Sequence, residues 1–180
     1  MAITAQTGKQ ALLDLVNKDN STAFTLAQVA LAAPAVVAEP VAGRNSTVKI
    51  TGVDAVALPG EVDVTYTRQP GSAVFAGVPN HEFSKDAAVA ADVTAEIVAN
   101  VLPGLSVPLE DGSYDITAVA LDSSDPSSED GKYNWTVTID LAKNYILVGT
   151  VTILVNSNKV SLSDIQTTEL SGFTAEDVAE

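Results

Sequence analysis

Val48-Lys49-Ile50-Thr51, a loop, then Pro59-Gly60-Glu61-Val62-Asp63-Val64-Thr65-Tyr66: the fold turns on this stretch. Apolar and polar side chains alternate through both pieces, the period of a strand with one face buried and the other in water. Val48, Ile50 and Val53 are expected on one face, with Lys49 and Thr51 opposite. Val62, Val64 and Tyr66 repeat that face on the second strand. A related phrase follows later. Tyr114-Asp115-Ile116-Thr117 leads through a longer loop to Val148-Gly149-Thr150-Val151-Thr152-Ile153. In each copy a Gly opens or interrupts the second strand, so the pattern reads as two related hairpin units in one β-rich body.

Helical patterns introduce both units. Thr7 is placed to cap a helix over Ala11-Leu12-Leu13-Asp14-Leu15-Val16, with Gln10 reaching back as in a capping box. Leu12, Leu15 and Val16 are the expected core face. The polar run Asn17 to Ser21 ends it. Phe24 to Val29 fits either a strand or a turn, and Pro34 to Gly43, with two prolines, reads as a connector or edge strand. Ser84-Lys85-Asp86 opens a second helix in which Val89, Val93, Ile97 and Val101 recur every four residues, with Thr94 a possible break and Leu102-Pro103-Gly104 a firm stop.

Trp135, Val137 and Ile139 alternate with polar residues. Tyr145 to Val155 is the longest β-favouring run, with two-sided burial or a bulge expected around Gly149. Pro70-Gly71 closes the first unit, Gly77 to Asn80 is a turn, and Asp164-Ile165-Gln166 is a candidate edge strand in the tail. The fold class is therefore α+β and β-rich, as a sandwich-like pair of antiparallel sheets or one curled sheet with two short helices. One domain spans residues 1–180, with half-repeats at 7–70 and 84–156 and a tail from 157 to 180. The order helix, strands, helix, strands suggests duplication.

Composition narrows the function. The net charge is −14 with nine Lys and Arg, which disfavours nucleic acid and anionic membranes as partners. A cationic partner, or solubility at high local concentration, suits the charge better. The apolar share of 46% against 18% charged residues is that of an ordered domain. There is no Cys, which excludes disulfides and thiolate metal sites and fits folding in a reducing cytoplasm. Met1 to Gln6 lacks the pattern of a signal peptide, and the apolar run Ala27 to Val41 is too interrupted to span a bilayer. A soluble protein is expected.

Several elements in order resemble a family of virion structural proteins of large tailed bacteriophages: Leu12-Leu13-Asp14-Leu15-Val16-Asn17 ending in Asn20-Ser21; Asn45-Ser46-Thr47-Val48-Lys49-Ile50-Thr51 followed by Gly60-Glu61-Val62-Asp63-Val64-Thr65-Tyr66-Thr67-Arg68; Tyr145-Ile146-Leu147-Val148-Gly149-Thr150-Val151-Thr152-Ile153; and Thr168-Glu169-Leu170-Ser171-Gly172-Phe173. The resemblance spans most of the chain and implies a non-enzymatic structural subunit, made in the host cytoplasm and carried in the virion. A head decoration or cementing protein is the favoured place, a tail, neck or baseplate subunit the alternative. The implied partners are the major capsid protein or tail subunits and further copies of the chain. No cofactor, metal or catalytic residue carries over. The acidic insertion Asp122 to Gly131 departs from the family pattern.

That loop offers Asp122, Asp125, Glu129 and Asp130 as oxygen ligands for Ca²⁺, but without EF-hand spacing, and a solvated loop is the plainer reading. His81 is the only histidine, follows Pro79 in a loop and has no partner His or Cys for zinc. No nucleophile-elbow sequence surrounds any Ser. Trp135 reads as core. Tyr133 stays undecided between core and an exposed recognition pair, and with the acidic loop it is the best site for a rival function, a carbohydrate- or protein-binding adhesin-like module.

Overall fold

The computed structural model describes residues 7–76, 78, 80–82, 89–107, 109–122, 124–129 and 132–157. The fold is α+β and strand-rich, built on antiparallel sheets that do not close into a barrel. Asp86, Asp130 and the tail segments named above lie outside the described residues.

Helix α1 runs Gly8–Asn20. The Thr7 hydroxyl accepts the Gln10 amide at 3.2 Å, as its capping position requires. The Gln10 side chain does not reach back; it donates to Asp14 one turn on, at 2.7 Å. Ser21, in the left-handed region (φ 54°), ends the helix, and its amide donates to the Asn17 carbonyl. Leu12 and Leu13 are buried, with Val16 packed against them, whereas Leu15 is exposed. The expected face was thus rotated: α1 meets the sheet through the Leu12–Leu13 pair.

The first sheet centres on β3 (Arg44–Gly52). β4 (Glu61–Tyr66) pairs antiparallel along one edge in the register Val48↔Val64 and Ile50↔Val62. β1 (Val29–Leu31) and β2 (Ala35–Val41) lie end to end along the other. The Pro34 to Gly43 segment is therefore an edge strand, with a bulge between Val36 and Val41. Val48 and Ile50 point into a core with Leu12, Leu13, Val29, Leu31, Tyr66 and Tyr145. Two members of the expected face are not buried: Val53, beyond the strand end, and Val62, which is 55% exposed.

β5 (Gln69–Pro70) and the short helix α2 (Gly71–Phe75) follow, so Pro70-Gly71 starts a helix instead of a turn. Asn80 precedes β6 (His81–Glu82), which pairs parallel to the last strand; the segment read as loop is a short edge strand. α3 (Ala90–Glu96) passes unbroken through Thr94 into a π-helical turn, Ile97–Val101, and a 3₁₀ turn, Leu102–Gly104. Val93, Ile97 and Val101 are buried and Val89 is exposed. A four-residue repeat overshoots an α-helical turn by about 40° per step. The wider π turn takes up that drift and keeps Val101 on the buried face.

The second sheet has the order β6-β10-β8-β7, with β7 Asp115–Ala120, β8 Trp135–Asp140 and β10 Thr150–Asn156. Here the hairpin expectation is corrected. The strands of the second phrase are not neighbours, because β8 lies between them and pairs antiparallel with both. The alternating Trp135–Ile139 segment takes the central place, burying Val137 and Ile139 completely. The long Tyr145–Val155 run is broken at Gly149 (φ +96°) into β9 (Leu147–Val148) and β10. β9 pairs parallel with β5, so the run serves two sheets.

Candidate functional site

The acidic loop is organised by its own hydrogen bonds. Asp122 accepts the Ser124 amide and hydroxyl, both at 2.8 Å, and Asp125 accepts the Ser127 amide at 2.8 Å as the cap of a 3₁₀ turn. Those backbone bonds, with side-chain help from Ser124 and Ser127, hold both carboxyls below the usual Asp range. Glu129 lies 3.9 Å from Lys132. Among the described residues, no three His, Cys, Asp or Glu side chains gather as a metal would need. Tyr133 and Trp135 are both buried, and the Trp135 indole donates to Ser157 Oγ at 3.0 Å. The recognition pair considered in the sequence does not present its rings at the surface.

The best-built polar cluster lies elsewhere, at the junction of the two sheets. Arg68, two residues beyond β4, is 1% exposed. Its Nε–H donates to Ser46 Oγ at 2.7 Å, and Nη1 donates to the carbonyls of Ala142 (2.9 Å), Asn144 (2.8 Å) and Leu147 (3.3 Å). Three carbonyl dipoles thus face the charge where a carboxylate would be expected. Asn45 fixes the Arg68 backbone, donating to its carbonyl and accepting its amide at 2.8 Å each. Asn144 repeats the device by accepting the Ile146 and Leu147 amides. Arg68 Nη2 and the Tyr66 hydroxyl have no protein partner among the described residues. Burial lowers the guanidinium from its ordinary value and raises the Tyr66 phenol to about 12.

Further ties cross the same junction. The Glu110 carboxylate accepts the Gly8 amide at the start of α1, and the Tyr145 hydroxyl donates to the Ala32 carbonyl at 3.0 Å. With β5–β9 pairing, they join sheet to sheet. Sequence reading missed Arg68 because nothing local distinguishes an Arg at a strand end that will be buried from one that points to water.

At the end of the β3–β4 hairpin opposite Arg68, α1 and the hairpin tip leave an open apolar groove of about 230 Å³, lined by Leu13, Val16, Phe24, Ile50, Leu58 and Val62 among others, and by Glu61. Chemically this is a place to seat an apolar side chain; Glu61, the only charged group lining it among the described residues, is ion-paired to Lys49.

The chain belongs to the Family of unknown function (DUF7941), whose match covers residues 1–179. No curated protein and no solved structure matches it. No helix among the described residues is long and apolar enough to cross a membrane.

Proposed function

We propose that this protein is a non-enzymatic structural subunit of a phage particle, working by burying surface against its neighbours. Within the particle, the head surface is the favoured position, as a decoration or cementing protein. The observation that carries this reading is the direction in which the best-built polar cluster faces. Arg68 turns inward to main-chain carbonyls across the sheet junction, an arrangement suited to rigidity and not to turnover. The resemblance of its motifs, in their order, to virion structural proteins supports the same reading. So does a net charge of −14, which keeps a densely arrayed subunit soluble before assembly.

The test is fractionation of purified particles of the encoding phage into heads and tails, with mass spectrometry of each. Stoichiometric recovery with heads is expected. Recovery with tails moves the subunit to the tail, neck or baseplate, and absence from both fractions overturns the reading.

A further inference from the structure

Every open sheet offers edges, and their protection differs here. On the far side of β3, the edge is split between a three-residue β1 and a bulged β2 that contains Pro40, devices that blunt pairing. β6 has two residues. β7 has six, with Asp115 paired to Lys143, but it belongs to the acidic part of the chain. Residues 71–157 carry twelve acidic and three basic side chains, whereas residues 1–70 carry six and five. Two copies meeting at β7 would bring like charges together. β4 also has six residues, pairs only with β3 among the described strands, and has neither Pro nor bulge; it lies in the near-neutral part, and Lys49 of β3, ion-paired to Glu61 and opposite Asp63, offsets its two acids.

We propose that β4 is a homotypic docking edge, pairing antiparallel with β4 of a second copy about a two-fold axis normal to the sheet. Such an axis returns each residue to its own face, so opposed residues must share parity. Of the two registers that overlap most, one sets Asp63 against Asp63 of the partner, which like charge disfavours. The other sets Val64 against Val64, Val62 against Tyr66 and Asp63 against Thr65, and it is the register we assign. It sets the exposed Val62 (55%) of each copy against Tyr66 of the other, on the apolar side of a continuous sheet. An isologous contact of this kind closes on itself as a dimer. Six residues of edge make a weak interface when alone, and neighbours in an array raise the effective concentration. The proposal names a partner within the assembly reading, but the pairing itself is a property of the isolated chain.

The native chain lacks Cys, so one introduced thiol reports one position. Opposed strand residues lie about 4.5–5.5 Å apart at Cα, within disulfide reach, while diagonal ones at about 7–8 Å are beyond it. Val64→Cys is expected to form a covalent dimer on mild oxidation, and Asp63→Cys to remain monomeric. By sedimentation equilibrium up to about 1 mM, the native chain is expected to dimerise, and Val62→Asp, at an exposed site, to weaken this at least about tenfold. Circular dichroism checks that each variant folds. A native chain monomeric throughout overturns the proposal, as does cross-linking of Asp63→Cys in preference to Val64→Cys. A dimer formed by a chain absent from particles would leave this inference standing and remove the virion reading.

Discussion

Tyr66 shows how one residue ties stability to pH. Its ring closes the first core, and its hydroxyl has no protein partner among the described residues. Burial raises its pKa to about 12 from an ordinary value of 10.0. Between those values the folded state keeps a proton that the unfolded chain has released, so stability falls as pH rises through the window and is unaffected below it. The expected loss is about 1–2 kcal/mol. Tyr66→Phe removes this contribution while leaving the raised Tyr114 and Tyr145 phenols in place. Urea unfolding at about pH 9 and about pH 11.5 should show a steeper decline for the native chain than for the variant. Equal declines would refute the assignment.

Among elements, two glycines make opposite demands. Gly52 ends β3 where a Cβ would run into the Leu58 main-chain carbonyl, which cannot move aside as a side chain can. Gly149 breaks the longest β run with φ +96° and has open space where a Cβ would stand. Gly52→Ala therefore forces the β3–β4 connection to shift, at about 2–3 kcal/mol. Gly149→Ala adds only backbone strain of about 1 kcal/mol. Thermal unfolding of the two variants gives the order, and a costlier Gly149→Ala would show that the β9–β10 break, not the hairpin tip, is the tighter constraint. The elements themselves were largely legible: α1 from its Thr7 cap and leucines, β3 and β4 from alternation, the end of the helical run that α3 begins from Leu102-Pro103-Gly104. The face of α1 was not, because Leu12, Leu13, Leu15 and Val16 surround too much of the helix to select one side. Nor was α2, five residues behind a Pro that read as a turn.

For the whole molecule, coupling between the two sheets rests on Arg68, Glu110, Tyr145 and the β5–β9 pair. Arg68→Met fills similar space but leaves the Ala142, Asn144 and Leu147 carbonyls without their donor, at an expected cost of about 3–5 kcal/mol. Arg68→Lys keeps the charge without the fork that reaches Ser46 and the carbonyls together, and should recover less than half of that loss. Hydrogen exchange should rise first in residues 144–148 in both variants. A loss of stability with unchanged protection there would mean that Arg68 supports its own sheet and does not join the two.

Local signals determined much of this protein before any tertiary contact was considered. Alternation at period two, capping hydroxyls, Gly and Pro punctuation and net charge all depend on residues close in sequence, where sterics and solvation act directly. The strand-rich α+β class followed from them. The acidic run from Asp122 was visible as a polar loop, and the structure organises Asp122 and Asp125 around their own loop amides. Strand order could not be read in this way. Val148–Ile153 looks like the partner of Tyr114–Thr117, yet β8 stands between β7 and β10, since any alternating strand satisfies the same pattern and only closure of the core around Val137 and Ile139 selects among them. Arg68 belongs to the same class. Its burial depends on carbonyls more than seventy residues away, and only the folded chain brings them to it.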